Sequence, residues 1–455
     1  MRASLCALAV CLIAPCWVWA QQTVGWRTDA TGWYSSATPV AQWAADKNVR
    51  WSAATPNWSN ASPVVVGDRI FYCAEPTTLV CASAADGKIL WQKANAYADV
   101  LGPDAAEKIK QADAINAKLR ALQGELNKVN QELKKGGTDP ATQPAQKAKA
   151  DDLTKQIAPL RDQLKPMEMY ILPSTADING YSTSTPVSDG QRVYMVFGNG
   201  VVVCYDMEGN RQWAKLVDKP THEWGHSASP VLVEGKLVVF ITKLFGLDVA
   251  DGKVLWQAPA AFAWGTPIAA RVGKTAVVVT PGGEIVRAAD GAVLAKGIAA
   301  LEYNSPILSD GVVYFIAGKS VAMKLPAEAA DKLTPEILWQ APLKSDRYYA
   351  SPVIHDGLIY AITQNNNFSV LDAKNGKPVY EKKLDLGDGD IFPSITLAGN
   401  CLLVSHSNGT TLVLQPGREY KEIARNKLEP FRSTPVFVGD RMILRGLKNL
   451  YCIGK

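Results

Sequence analysis

Polar and apolar positions along the chain fall into a recurring unit. A Ser/Thr-Pro dipeptide opens an apolar run, a turn built on Gly with Asp or another polar residue follows, and a second apolar run returns. The openings read SPVVVGDRIFYC from Ser62, TPVSDGQRVYMV from Thr185, SPVLVEGKLVVF from Ser229, TPIAARVGKTAVVV from Thr266, SPILSDGVVYFI from Ser305, SPVIHDGLIYAI from Ser351 and TPVFVGDRMIL from Thr434. SITLAGNCLLV from Ser394 completes the series without the proline. A third strand, an Asp/Asn-Gly turn and a fourth strand usually follow, the last ending in an aromatic such as Trp91, Trp213, Trp256, Trp339 or Tyr380. AADGAVLA and QPGREYKEI keep the turn and lose the aromatic.

Four strands per unit and a period of about forty residues predict propeller blades. Small and β-branched residues suit strands buried between neighbouring sheets. The expected fold is all-β: an eight-bladed β-propeller of four-stranded blades. The last unit stops at LYCIGK after three strands, while KNVRWSAATP carries an unattached fourth-strand signature at Trp51. The strand around Val49 to Ser52 is therefore expected to complete the last blade and remove the two exposed edges of an open arc.

Between Trp91 and Thr185 the period changes to that of a helix. Ile115, Leu119, Leu122, Leu126, Val129 and Leu133 alternate spacings of four and three, as do Leu153, Ile157, Leu160, Leu164 and Met167. Two coiled-coil seams separated by Gly136, Gly137, Pro140 and Pro144 predict an antiparallel α-helical hairpin, with Pro159 kinking or splitting its second arm. The hairpin reads either as a spacer whose leucines pair its own arms or as a docking arm. The predicted segments are a signal peptide (1–20), a lead-in (21–46), the closing strand and first blade (47–103), the hairpin (104–168) and the remaining blades (169–455).

The signal peptide rests on Arg2, the apolar stretch Leu5 to Trp19, and small residues before Gln21. It predicts an exported protein of the periplasm or cell envelope, with no later apolar run long enough to span a membrane. Forty-eight basic and 43 acidic side chains leave a formal charge of +5 spread along the sequence, which does not point to nucleic acid. Five cysteines follow the signal: Cys73, Cys81, Cys204, Cys401 and Cys452. Cys73 and Cys81 flank a hairpin loop and read either as a pair or as buried thiols.

Candidate chemistry is sparse. His222-Glu223-Trp224-Gly225-His226 matches the zinc-protease string, but Gly225 and the following SASPVLV strand predict a loop where that chemistry needs a helix. The Asp-Gly pairs at Asp86, Asp251 and Asp290 read as hairpin turns, lacking the alternating ligands of a calcium loop. No metal site and no catalytic residue is assigned. Each opening is instead preceded by an aromatic: Trp58, Tyr181, Trp224, Trp264, Tyr303, Tyr348 with Tyr349, Phe392 and Phe431. These loops should gather at one mouth, interleaved with Asn60, Asn179, His226, Asn304, Arg347, Asp390 and Arg432. They read either as blade-packing residues or as a recognition surface for a peptide, carbohydrate or flat cofactor. The candidate ligand-binding set is Trp58, Asn60, Tyr181, His226, Trp264, Tyr303, Asn304, Tyr349 and Arg432.

The openings and the DGKILW-type endings resemble the PQQ-like propeller repeat shared by quinoprotein alcohol dehydrogenases and BamB-like assembly factors. The resemblance covers Val49 to the C-terminus without the hairpin, while the lead-in GWRTDATGWYSSATP and the hairpin are similar to exported bacterial members. The dehydrogenases imply adjacent cysteines beside the quinone, a bound calcium and a catalytic aspartate; no adjacent cysteines and no CxxCH occur in this sequence. The resemblance therefore implies a BamB-like, non-catalytic scaffold for envelope proteins or peptides, without a cofactor. The alternative is a dehydrogenase using PQQ with calcium.

Overall fold

The computed structural model describes residues 24–134 and 142–455. The predicted signal peptide, and Gly136, Gly137 and Pro140, lie outside them. Eight antiparallel sheets form the blades, numbered here in the order of their openings. Their first, innermost strands are Val64–Val66, Val187–Ser188, Val231–Val233, Ile268–Val272, Ile307–Ser309, Val353–His355, Thr396–Ala398 and Val436–Val438. Val49–Ala54 supplies the fourth strand of blade eight, pairing with Asn449–Ile453, so the ring closes as the sequence predicts.

The Ser/Thr of each opening ties its blade to the one before. The N–H of Ser62 donates to Thr185 Oγ1, that of Thr185 to Ser229 Oγ, and so on through Thr266, Ser305, Ser351, Ser394 and Thr434 back to Ser62. The eight bonds measure 2.8 to 3.2 Å. They form a closed belt around the innermost strands, satisfying backbone donors that water does not reach. A short hydroxyl on the backbone is what this position requires, which is why serine and threonine interchange there.

The fourth-strand tryptophan has the corresponding task on the outside. Its indole N–H reaches a carbonyl of the next blade: Trp91 to Met207, Trp213 to Val249, Trp256 to Ala288 and Trp339 to Ala373. The ring lies under that blade's turn glycine. A Cβ on Gly209, Gly252, Gly291 or Gly376 would come within 2.6–2.7 Å of it, and Gly87 covers Trp51 in the same way. A β-bulge precedes each tryptophan, re-aiming it inward and leaving Leu90, Leu255 and Leu338 exposed. Blade four lacks the tryptophan where blade five has no glycine turn, and Leu333 packs there. Blade seven lacks it where blade eight is interrupted by the chain ends, and Trp43 fills the gap beside Ala424.

The lead-in forms part of the ring's interior, a placement its sequence does not indicate. Val24 bridges Ser188 of blade two, Ala30 packs on the blade-four and -five core, and Trp33–Tyr34 pairs in parallel with Leu397 and Ala398 of blade seven. Thr38 then bonds Gly439 of blade eight at 3.0 Å. The segment crosses between innermost strands on the face opposite the mouth, making blade seven five-stranded.

The insertion follows a short helix, α1 (Tyr97–Val100), and consists of α2 (Ala105–Lys134) and α3 (Gln143–Leu164) ending in a 3-10 turn (Lys165–Tyr170). Val129, Leu153, Ile157 and Leu164 are buried and the other predicted seam residues half-buried. The helix α3 runs unbroken through Pro159, so the expected split does not occur. Its foot rests on blade two: Tyr97 donates to the Asn199 carbonyl at 2.6 Å, and Lys219 Nζ to the carbonyls of Glu168 and Ile171 at 2.5 Å each. The five cysteines among the described residues are free thiols; Cys73 and Cys81 sit in the interface between blades one and two, where Cys73 touches Met195.

Candidate binding site

Loops entering the first strands share one face of the ring with the turns joining second and third strands, because each blade is an antiparallel meander. On this face seven of the nine aromatics named above fall into two groups, while Trp224 stands exposed and Tyr181 faces the return of the hairpin. Tyr348 and Phe431 are buried and pack between blades. Trp58, Trp264, Tyr303, Tyr349 and Phe392 are half-buried and form a chain of ring contacts.

Trp264 stacks on Tyr303 with centroids 5.4 Å apart and planes 11° apart. Tyr303 meets Tyr349 edge-on at 5.0 Å, and Tyr349 stacks on Phe392 at 5.2 Å. Phe392 leads to the Arg432 guanidinium, 6.0 Å above its ring, and Arg432 lies 5.9 Å over Trp58. At the other end His222 stacks on Phe262 at 5.1 Å and abuts Trp264 at 4.7 Å. His222 and Phe262 were not among the predicted site residues. His222 carried a signal in the zinc-protease string, which drew attention to the wrong chemistry; Phe262, two residues before Trp264, carried none.

Seven loops build this arc, and the eighth, entering blade two, carries the helical hairpin. That loop joins the mouth by polar contacts. Arg432 Nη1 donates to the Ile178 carbonyl at 3.1 Å, and Asn60 Nδ2 to the same carbonyl at 2.8 Å. Asn179 Nδ2 donates to the Trp224 carbonyl at 2.7 Å. Arg432 thus touches elements of blades one, two and seven from its place ahead of blade eight, which puts it centrally. Partial burial lowers its pKa, and among the described residues neither Arg432 nor Arg347 forms an ion pair. Arg347 lies 5.7 Å over the Tyr303 ring and donates to the Tyr349 hydroxyl at 3.2 Å.

Three predicted members sit apart from the arc. His226 is buried, with Nε2 2.6 Å from the Phe240 carbonyl, and desolvation lowers its pKa to about 4; as a neutral ring it braces the loop entering blade three against the strand Lys236–Phe240. Asn304 is buried and donates to the Ile316 carbonyl at 2.9 Å. Tyr181 turns its hydroxyl to the Pro173 carbonyl at 2.8 Å while Glu75 accepts its backbone N–H, fastening the hairpin's return. Burial raises the Glu75 pKa. Two open hollows on the same face, of about 450 and 500 Å³, are lined by polar groups including Asn408, Arg425 and Lys427, and Lys344, Asn365 and Lys383. Neither lies in the aromatic arc.

The chain matches the family model described as outer membrane protein assembly factor BamB over residues 26–126, 175–266 and 247–445. It belongs to the BamB family. BamB from Moraxella catarrhalis superposes with a TM-score of 0.56 at 11% identity, covering 89% of this chain and 96% of that one. A europium-containing methanol dehydrogenase gives 0.57 at 12%, covering 91% and 87%. A quinohemoprotein alcohol dehydrogenase from Pseudomonas putida gives 0.54 at 11%, covering 92% and 78%. At such identities these likenesses speak of the fold alone. No curated protein matches this BamB-family chain. Residues 127–174, holding the end of α2 and all of α3, fall outside the matched spans.

The dehydrogenase branch would need a place for a quinone and a calcium. A flat ring could lie on the Trp264–Tyr303 face. For the metal, among the described residues no group of three His, Cys, Asp or Glu side chains comes together, and calcium in that branch also takes amide oxygens. Among the same residues no helix is long and apolar enough to cross a membrane.

Proposed function

We propose that this chain is a non-catalytic scaffold of the cell envelope that holds an extended polypeptide across the aromatic arc of its mouth. The observation carrying the reading is the continuous surface from His222 to Trp58, with two guanidiniums that lack carboxylate partners. Rigid aromatic faces and arginines are the side chains that most often anchor protein interfaces. An open surface of this kind suits a chain lying across it better than a small molecule enclosed in a pocket. The family match supports placement in the envelope and a role in protein interaction.

Selecting peptides from a displayed library on the purified chain tests this reading. Enriched peptides should carry carboxylates beside apolar or aromatic side chains, bind one-to-one, and lose affinity in Tyr303→Ala and Arg432→Gln. The planar Trp264–Tyr303 stack favours one second reading, quinone-dependent oxidation. Adding PQQ with calcium and following quinone absorbance addresses it directly: a saturable one-to-one change accompanied by dye reduction overturns the scaffold reading.

A further inference from the structure

The lead-in places inside the ring a charge that forms no ion pair with any described residue. Arg27 is 1% exposed. Its Nη1 and Nη2 donate to the carbonyls of Pro352 and Ile395 at 2.8 and 2.7 Å, while Nε has no partner. Burial lowers its pKa to about 10, so it stays cationic at neutral pH. Asp29, the nearby acid, is exposed and accepts from the N–H and hydroxyl of Thr31 at 3.0 and 2.6 Å. A buried guanidinium without an ion-pair partner is expensive, and two carbonyl dipoles, the Trp26 face and an exposed Asp29 compensate it only in part.

The backbone is strained to put it there. Arg27, Thr28 and Ala30 all have left-handed φ, of 51°, 66° and 69°, without being glycine. Gly32 is required beside them, because a Cβ would lie 1.9 Å from the Arg27 Nη2. Strain held in three of four successive residues marks a conformation maintained for what it positions.

The Trp26 ring lies 5.3 Å from the guanidinium carbon, and the polar side chains beside it are donors. Tyr34 hydroxyl lies beside Thr28 and Arg27, and burial raises its pKa to about 12, keeping its proton. Ser351 and Ser394 directly precede the two carbonyls that hold Arg27, and both belong to the hydroxyl belt. Each belt hydroxyl has accepted a backbone N–H, and among the described residues none has an acceptor for its own proton. Cationic and O–H donors converge within the ring, and carboxylates do not.

We propose that the interior of the ring binds a small monovalent inorganic anion, of the chloride class, between Arg27 and the hydroxyl belt. The anion supplies the missing counter-charge and accepts the unclaimed protons. The site is independent of the mouth reading, so either can fail alone.

Crystals of the full chain grown in sodium bromide test this by anomalous scattering, with a bromide peak expected against Arg27 Nε. In solution, replacing gluconate by chloride at constant ionic strength should raise the thermal midpoint saturably by about 2 °C or more. Arg27→Met should abolish that dependence. If this variant does not fold, Ser351→Ala, which keeps the guanidinium, should raise the half-saturating chloride concentration several-fold. Water alone beside Arg27, together with a wild-type midpoint indifferent to chloride, overturns the proposal.

Discussion

The backbone N–H of Thr434 donates to Ser62 Oγ at 2.9 Å, joining the last opening of the chain to the first across 372 residues. This contact completes the hydroxyl belt, and it predicts how the belt responds to substitution. Ser351→Ala leaves the buried N–H of Ser305 without an acceptor and should cost about 1–3 kcal/mol. Ser351→Thr should be nearly neutral, since threonine serves the same role in blades two, four and eight. Denaturant midpoints of the two variants check this.

Gly291 and Gly357 both have left-handed φ, of 76° and 70°, but only Gly291 lies against a neighbouring tryptophan. Gly291→Ala should therefore destabilise by about 2–4 kcal/mol, adding the displaced Trp256 ring to the backbone term. Gly357→Ala, which meets open space, should cost only about 1 kcal/mol. A difference below measurement error would refute the docking of tryptophan under glycine as a stabilising contact.

Tyr348 and Tyr349 are neighbours with opposite fates. Tyr348→Ala removes a buried ring and should cost about 3–5 kcal/mol. Tyr349→Ala should lower affinity for a selected peptide roughly tenfold with little change in thermal midpoint, and Trp58→Ala and Trp264→Ala should do the same. Equal losses of stability in the three exposed-face variants would sink the mouth as a binding surface.

His226 makes stability depend on pH. Its pKa falls from 6.5 to about 4 on folding, so the unfolded chain binds the extra proton between those values. Stability is intact above about pH 6.5 and declines as pH falls toward 4, by about 3 kcal/mol in all. Urea midpoints across that window should show this slope, and His226→Gln should flatten it.

Buried thiols should be silent. Burial raises the pKa of every cysteine described, that of Cys81 to about 12. The native chain should react with thiol reagents chiefly at half-buried Cys401 and keep its thermal midpoint when reductant is added. A midpoint that drops in reductant would show that Cys73 and Cys81 are joined.

The blades were legible in the sequence because each repeat carries its own turn chemistry and five of the eight fourth strands carry a tryptophan. The missing tryptophans of blades four and seven mark the places where no glycine turn joins the third and fourth strands of the next blade, and blade six carries Tyr380 instead. The hairpin was legible from its leucine spacing. The path of the lead-in was not: its left-handed positions are filled by Arg27, Thr28 and Ala30, so the usual glycine signal is absent, and a two-residue strand leaves no period to read. At the mouth, sequence order could not separate Tyr348 from Tyr349, nor show that His226 faces inward while His222 faces the arc. Those outcomes depend on the side to which each short loop turns.

Because Val49–Ala54 and Asn449–Ile453 share one sheet, the pairing that seals the ring joins residues nearly a full chain length apart. Contact order of that kind slows folding, since the entropy of gathering the chain is spent before the contact repays it. The ring cannot close until the strand Asn449–Ile453 has been synthesised. A fragment lacking only those residues would expose two sheet edges at once, making the final strand the step that separates a native ring from an aggregation-prone arc.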